Sequence, residues 1–118
     1  MMQEYGDIDI ALDPHCYNGG TTSLQALWMG VPLVTMCGGN FTSRMGASFL
    51  KVLGKQDWIA NNKSEYVEIA KKMADDVPNI RLGRATLRGL MAASPLCDIK
   101  SYAANFESLM RNIYQNRV

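Results

Sequence analysis

Residues 13–32 read Asp13-Pro-His-Cys-Tyr-Asn18-Gly19-Gly20-Thr21-Thr22-Ser23-Leu-Gln25-Ala-Leu-Trp28-Met-Gly30-Val-Pro32, and this stretch decides the fold. It joins an apolar strand to a helix through consecutive glycines and threonines, which is how an α/β protein builds a cradle for a phosphate. Upstream, Ile8, Ile10 and Leu12 alternate with Asp7, Asp9 and Asp13, the pattern of a strand reaching the carboxyl edge of a sheet. Asn18-Gly19-Gly20 then offers backbone conformations closed to other residues.

Thr21 and Thr22 open the next helix. There the first amides lack intrahelical partners and the helix dipole is positive, so an anion gains hydrogen bonds and about half a unit of complementary charge. The absent side chains of Gly19 and Gly20 let a pyrophosphate come close. Leu24, Leu27 and Trp28 give this helix an apolar face, Gly30 is placed to end it in a left-handed conformation, and Val31–Met36 reads as the next parallel strand. The unit is strand, glycine turn, helix, strand.

Beyond Met36 the pattern is mostly helical, with a short strand expected near Trp58-Ile59-Ala60. Ser43–Leu53 forms a helix that stops at Gly54, and a second follows Asn62, whose cap Glu65 completes, with Tyr66, Ile69, Ala70 and Met73 at helical spacing. A third helix follows Pro78, with Ile80, Leu87, Leu90 and Met91 on one face and Arg81, Arg84 and Arg88 on another. Ser94-Pro95 resets the chain, and Asp98 caps a last helix whose Tyr102, Phe106, Leu109, Met110 and Ile113 form a broad apolar stripe.

The chain has 118 residues, enough for one domain that buries roughly two-thirds of its unfolded surface. A complete Rossmann-like sheet carries about six strands, whereas two clear strands and a short third are legible here. The expectation is therefore a carboxyl-terminal fragment with sheet edges that invite self-pairing.

Asp9-Ile-Ala-Leu-Asp13, Asn18-Gly-Gly-Thr-Thr22, Leu27-Trp-Met-Gly-Val-Pro-Leu-Val-Thr-Met36, Ser43-Arg-Met-Gly-Ala-Ser48, Ile59-Ala-Asn-Asn62, Glu65-Tyr66 and Ser94-Pro-Leu-Cys97 follow one another along the chain. This series resembles the carboxyl-terminal part of the catalytic region in the O-linked N-acetylglucosamine transferase and SPINDLY-like glycosyltransferases, and it covers nearly the whole chain. The resemblance implies an α/β fold with a partial Rossmann-like parallel sheet, flanking helices and a helical carboxyl terminus. In those terms residues 1–118 are a single nucleotide-sugar-binding fragment from the second domain of a two-domain GT-B transferase.

By the same resemblance, Gly20, Thr21 and Thr22 place donors on the diphosphate of a UDP- or GDP-sugar. Asn18 and Gly19 belong to that loop, and Gln25 stands where an acidic residue holds the donor ribose. Gly20 takes the place of a histidine in the animal transferases, so the donor class is better defined than the donor, with a UDP-N-acetylglucosamine type favoured. The acceptor protein would be held by an upstream region, and the fragment alone would be inactive. No catalytic residue, metal or cofactor is assigned to it.

Several of these residues have a plainer explanation. Thr22 and Gln25 have the spacing of a capping box, which accounts for both without a ligand, and the two readings of Gln25 stand side by side. Gly19, Gly20 and Thr21 also suit a simple tight turn. Trp28 reads as core rather than as a platform for a base. His15, the only histidine, lies in a loop beside the site with no positioned partner beyond Asp13, and Arg44 serves equally as a phosphate contact or an exposed charge.

Charge and cysteine usage exclude other classes. The net charge is +1, so the arginine series reads as a solvated helix face and not as a nucleic-acid footprint. Cys16, Cys37 and Cys97 form no Cys-x-x-Cys pair, and with one histidine they suggest reduced thiols in a cytoplasmic protein rather than zinc; Cys16, beside the loop, is the reactive candidate. No apolar run approaches the ~20 residues needed to span a bilayer, so no membrane partner is expected. The competing class is a non-catalytic module that self-associates or docks through its sheet edge or its last helix, and a different nucleotide-sugar enzyme on the same fold is the third.

Overall fold

The computed structural model describes residues 2–117. Three short strands, β1 (Ala11–Leu12), β2 (Leu33–Met36) and β3 (Ile59–Ala60), form a parallel sheet in the order β1-β2-β3. Ala11 pairs with Leu33, and Thr35 with Ile59. The connections carry α1 (Thr21–Trp28) and α2 (Met45–Val52), which gives two consecutive βαβ units. After β3 come α3 (Lys63–Ala74), α4 (Val77–Ala92) and α5 (Ile99–Gln115).

All four residues of β2 are buried, as the central strand of a sheet covered on both faces requires. The alternating run from Ile8 contributes only Ala11 and Leu12 to the sheet; Met2–Asp7 is instead a 3-10 turn. Leu27, Leu33, Leu50, Leu53, Leu87 and Met91 form the core cluster, with Trp28 packed against it as the sequence suggested. Each such buried side chain contributes about 1.5–3 kcal/mol of transfer free energy.

Gly30 ends α1 with φ +77°, the left-handed conformation expected of it. The position serves a second purpose, because a Cβ there would fall 2.5 Å from the Arg84 carbonyl oxygen, so α4 lies directly on the end of α1. The α3 cap is also as expected. Asn62 Oδ1 accepts from Glu65 N at 2.9 Å, while the Glu65 carboxylate reaches back to Asn61 N at 2.8 Å.

The arginines of α4 differ in part from expectation. Arg81 pairs with Asp9, Arg84 donates to main-chain carbonyls of the amino-terminal segment, and Arg88 lies over the Trp28 ring at 5.0 Å. Arg81 and Arg84 thus clasp the start of the chain, 72 to 79 positions away, while Arg81 and Arg88 remain exposed as the solvated face expected of them. The last helix behaves differently again. No residue of α5 is buried, and the molecule measures 57 × 30 × 25 Å.

Candidate nucleotide-sugar site

The carboxyl ends of β1 and β2 open into two loops that brace each other. Asn18 N donates to Thr42 O at 2.9 Å, Thr42 Oγ1 donates to Cys16 O at 3.2 Å, and Gly46 N donates to Asn18 Oδ1 at 3.3 Å. Asn18 also donates from Nδ2 to Pro14 O at 3.0 Å and is 1% exposed. Its side chain is therefore consumed in holding the loops together.

Beneath them lies Asp13, 1% exposed. Its Oδ1 accepts from Gly19 N at 2.8 Å and from Ser23 Oγ at 3.4 Å, and its Oδ2 accepts from Thr35 Oγ1 at 2.7 Å. Gly46, in the first turn of α2, presses on the same carboxylate; a Cβ there would collide with Asp13 Oδ2 and lie 2.5 Å from Thr35 Oγ1. Three donors and two helix amino-termini thus offset the desolvation of one buried charge. The Asp13 carbonyl in turn accepts from Tyr66 Oη at 2.9 Å, and burial, then the Asp13 charge, raises the phenol above its ordinary pKa.

This arrangement shapes the glycine loop. Gly19 and Gly20 do not take positive φ; the left-handed residue of the loop is Cys16, at φ +77°. What the loop requires of Gly19 is room, since a Cβ would collide with Ser23 Oγ and lie 2.7 Å from Thr22 Oγ1. At Gly20 a Cβ would meet only Met45 Cε, at 3.2 Å. Gly20 is the N-cap of α1 and no side chain caps the helix, so Thr22 and Gln25 do not form the capping box that their spacing allowed.

Among the described residues, nothing accepts from the amides of Gly20, Thr21 or Thr22. Both threonines are exposed at the mouth of a groove of about 530 Å³. Asn18, Gly19, Gly20, Thr21 and Thr22 all line it, together with Asp13, Tyr5 and Tyr17. Gln25, half-buried one turn into α1, is not among its lining residues. His15 is exposed, as is Arg44 at the N-cap of α2. Sequence reasoning missed Asp13 as the keystone and Tyr5 as part of the wall. An aspartate ending a strand just before a glycine loop was the available signal for the first; for Tyr5 there was none.

No group of histidine, cysteine or acidic side chains suited to a metal occurs among the described residues. Nor is any described helix long and apolar enough to cross a membrane.

Comparisons with known proteins agree with this architecture. The sequence model of glycosyl transferase family 41 matches residues 5–106. The probable UDP-N-acetylglucosamine–peptide N-acetylglucosaminyltransferase SPINDLY of Petunia hybrida is 44% identical over 114 residues, which is 97% of this chain and 12% of that protein. The UDP-N-acetylglucosamine–peptide N-acetylglucosaminyltransferase of Caenorhabditis elegans is 34% identical over 107 residues, 91% of this chain and 9% of that one. A solved structure of a lysine-to-methionine mutant of Thermobaculum terrenum O-GlcNAc transferase superposes with a TM-score of 0.87 at 36% identity, covering 98% of this chain and 22% of that one. The chain thus spans about an eighth of the length of the SPINDLY protein it matches. On the family match, the identities and the shared parallel α/β fold, the chain belongs to glycosyl transferase family 41, with the O-GlcNAc transferase and SPINDLY-like proteins.

Proposed function

We propose that this chain is the donor-binding part of a nucleotide-sugar-dependent protein O-glycosyltransferase. The observation that carries the proposal is the groove at the start of α1, where the amides of Gly20, Thr21 and Thr22 have no acceptor within the described structure. A diphosphate seated there receives main-chain and hydroxyl donors at the positive end of a helix. During transfer the departing nucleoside diphosphate gains charge, and donors already aimed at it stabilise that charge without rearranging. Gly20, Thr21 and Thr22 supply those donors. Asn18 and Gly19 hold the loop in shape, and Gln25 is the ribose contact only if a bound donor extends along α1 beyond the groove.

The donor is a UDP-sugar of the N-acetylglucosamine type, in keeping with the names of the relatives, with a GDP-sugar as the competing choice. The acceptor protein and most of the chemistry belong to the remainder of a longer protein, and the chain alone is inactive. Three unpaired cysteines suit a reducing, cytoplasmic setting. A second reading, a docking or self-associating module, is favoured by one feature only, the wholly unburied α5.

Calorimetric titration with UDP and with GDP tests the proposal. Binding of one nucleotide, weakened at least about ten-fold in the Thr21→Ala/Thr22→Ala double variant by loss of two charge-assisted hydroxyl bonds, supports it. No binding by the folded chain up to millimolar nucleotide removes it in favour of the docking module.

A further inference from the structure

The 3-10 turn Met2–Asp7 buries none of its residues, yet two arginines from α4 hold it and the residues that follow. Arg84 donates through Nη1 to Tyr5 O at 3.1 Å and through Nη2 to Ile8 O. Arg81 forks onto the Asp9 carboxylate with bonds of 2.7 and 3.0 Å. Arg84 is itself keyed into the fold: its side chain is 22% exposed, its Nε is buried without an acceptor, and its backbone lies against Gly30. A guanidinium fork spent on main-chain carbonyls fixes the path of a segment more than it neutralises charge.

That path delivers one side chain of the turn to the donor groove. Tyr5 lines it, and the Tyr5 hydroxyl donates to Thr22 O at 3.4 Å, so the phenol lies beside the same first turn of α1 that presents the free amides. Tyr17 is the other aromatic residue of the wall, but it is 74% exposed and makes no hydrogen bond in the described structure.

We propose that Tyr5 is the nucleoside-contacting, specificity-determining residue of the groove and that Arg84 is the residue that positions it. The proposal rests on the donor-binding reading above and extends it to the other end of the ligand. A nucleoside diphosphate has two unlike ends, a compact doubly charged group and a planar heterocycle on a ribose. Amides and hydroxyls at Gly20–Thr22 serve the first and offer nothing to the second. A tyrosine held from behind serves the second, since its ring stacks on a base while its hydroxyl meets a ribose or base edge.

The test compares three probes, UDP, GDP and inorganic pyrophosphate, on the 118-residue chain and its variants, each first checked by circular dichroism for an unchanged fold. In Tyr5→Ala the preferred nucleotide should weaken about 5- to 100-fold, the range of one lost base stack, while pyrophosphate stays within about two-fold. Tyr5→Phe should retain most of the affinity, and Arg84→Lys, which loses the fork, should move it in the same direction as Tyr5→Ala. Unchanged nucleotide affinity in Tyr5→Ala overturns the proposal, as does a parallel loss of pyrophosphate, which would make Tyr5 a prop for the phosphate loop. If the wild-type chain binds neither pyrophosphate nor nucleotide, the donor-binding reading fails and this proposal fails with it.

Discussion

The Asp13 carboxylate and the Thr35 hydroxyl, from the ends of adjacent strands β1 and β2, are hydrogen-bonded at 2.7 Å in the interior, 1% and 0% exposed. The bond ties the sheet to the glycine loop, because the other oxygen of the same carboxylate holds Gly19 N. The loop therefore inherits its position from the strand pairing.

Asp13→Ala removes the acceptor for three donors and leaves the Gly19 amide and the Thr35 hydroxyl without partners. Stability should fall by about 2–3 kcal/mol, and Asp13→Asn, which retains one acceptor oxygen, should lose less. Urea unfolding measures both. Equal losses for the two variants would mean that the packing volume of the site, and not its hydrogen bonds, is what matters.

Gly46 and Gly20 should respond oppositely to added side chains. Gly46→Ala drives a Cβ into the Asp13–Thr35 pair and should cost about 1–3 kcal/mol, as overpacking does. At Gly20 an added Cβ meets only the flexible end of Met45, so Gly20→Val should keep the fold while walling off the amides of the groove. Nucleotide affinity unchanged in Gly20→Val would show that no phosphate sits over that loop.

The helical spacing after Thr21 and the stop at Gly30 made the βαβ core readable, since each is local, and the Asn62–Glu65 cap was readable for the same reason. The alternation before Asp13 located β1 but assigned its faces the wrong way round, because Leu12 is exposed and Asp13 buried. Asp13 was harder, because a charged residue at a strand end ordinarily faces water and its burial depends on Thr35 and Gly46, 22 and 33 positions away. Arg84 misled for a related reason: a charged helix face looks the same whether it meets solvent or, as Arg84 does, a distant segment. Cys16, not a glycine, takes the left-handed turn of the loop, which no composition rule anticipates.

Acid should loosen the Asp9 clasp and the start of α3 first. The Arg81 hydrogen bond holds Asp9 below its ordinary value of 3.8, and the Asn61 amide, then its side chain, holds Glu65 below 4.5. A carboxylate depressed in the folded state stabilises it fully above the ordinary value and loses that contribution as pH falls through the lower folded value. Thermal midpoints should therefore fall below about pH 4.5, and the fall should be shallower in Glu65→Gln and Asp9→Asn. Curves parallel to the wild type would assign the acid sensitivity to other groups.

Removing the α3 cap isolates a purely local effect. Asn62→Ala deletes the bond accepted from Glu65 N and should cost about 1 kcal/mol without altering nucleotide binding. Denaturation paired with titration checks this, and a coupled loss of affinity would show that α3 transmits strain to the groove through the Tyr66–Asp13 bond.

The stripe on α5 carries the last prediction. Tyr102, Phe106, Leu109, Met110 and Ile113 are each between 42% and 68% exposed, and they follow one another at helical spacing along a helix with no buried residue. A row of that kind exposes a contiguous apolar strip, and water favours its removal by any complementary surface. At high concentration the available surface is the same stripe on another copy, so the 118-residue chain should self-associate. Phe106→Glu places a charge mid-stripe, beside Leu109 and Met110, and should return it to monomers without lowering helix content, since glutamate is a good helix former. Sedimentation velocity over a hundred-fold concentration range reads the outcome. A monomer throughout would mean that solvated Lys100, Glu107 and Arg111 on the other faces suffice to keep the helix soluble, and association that survives Phe106→Glu would shift the contact to the sheet edge at β1 or β3.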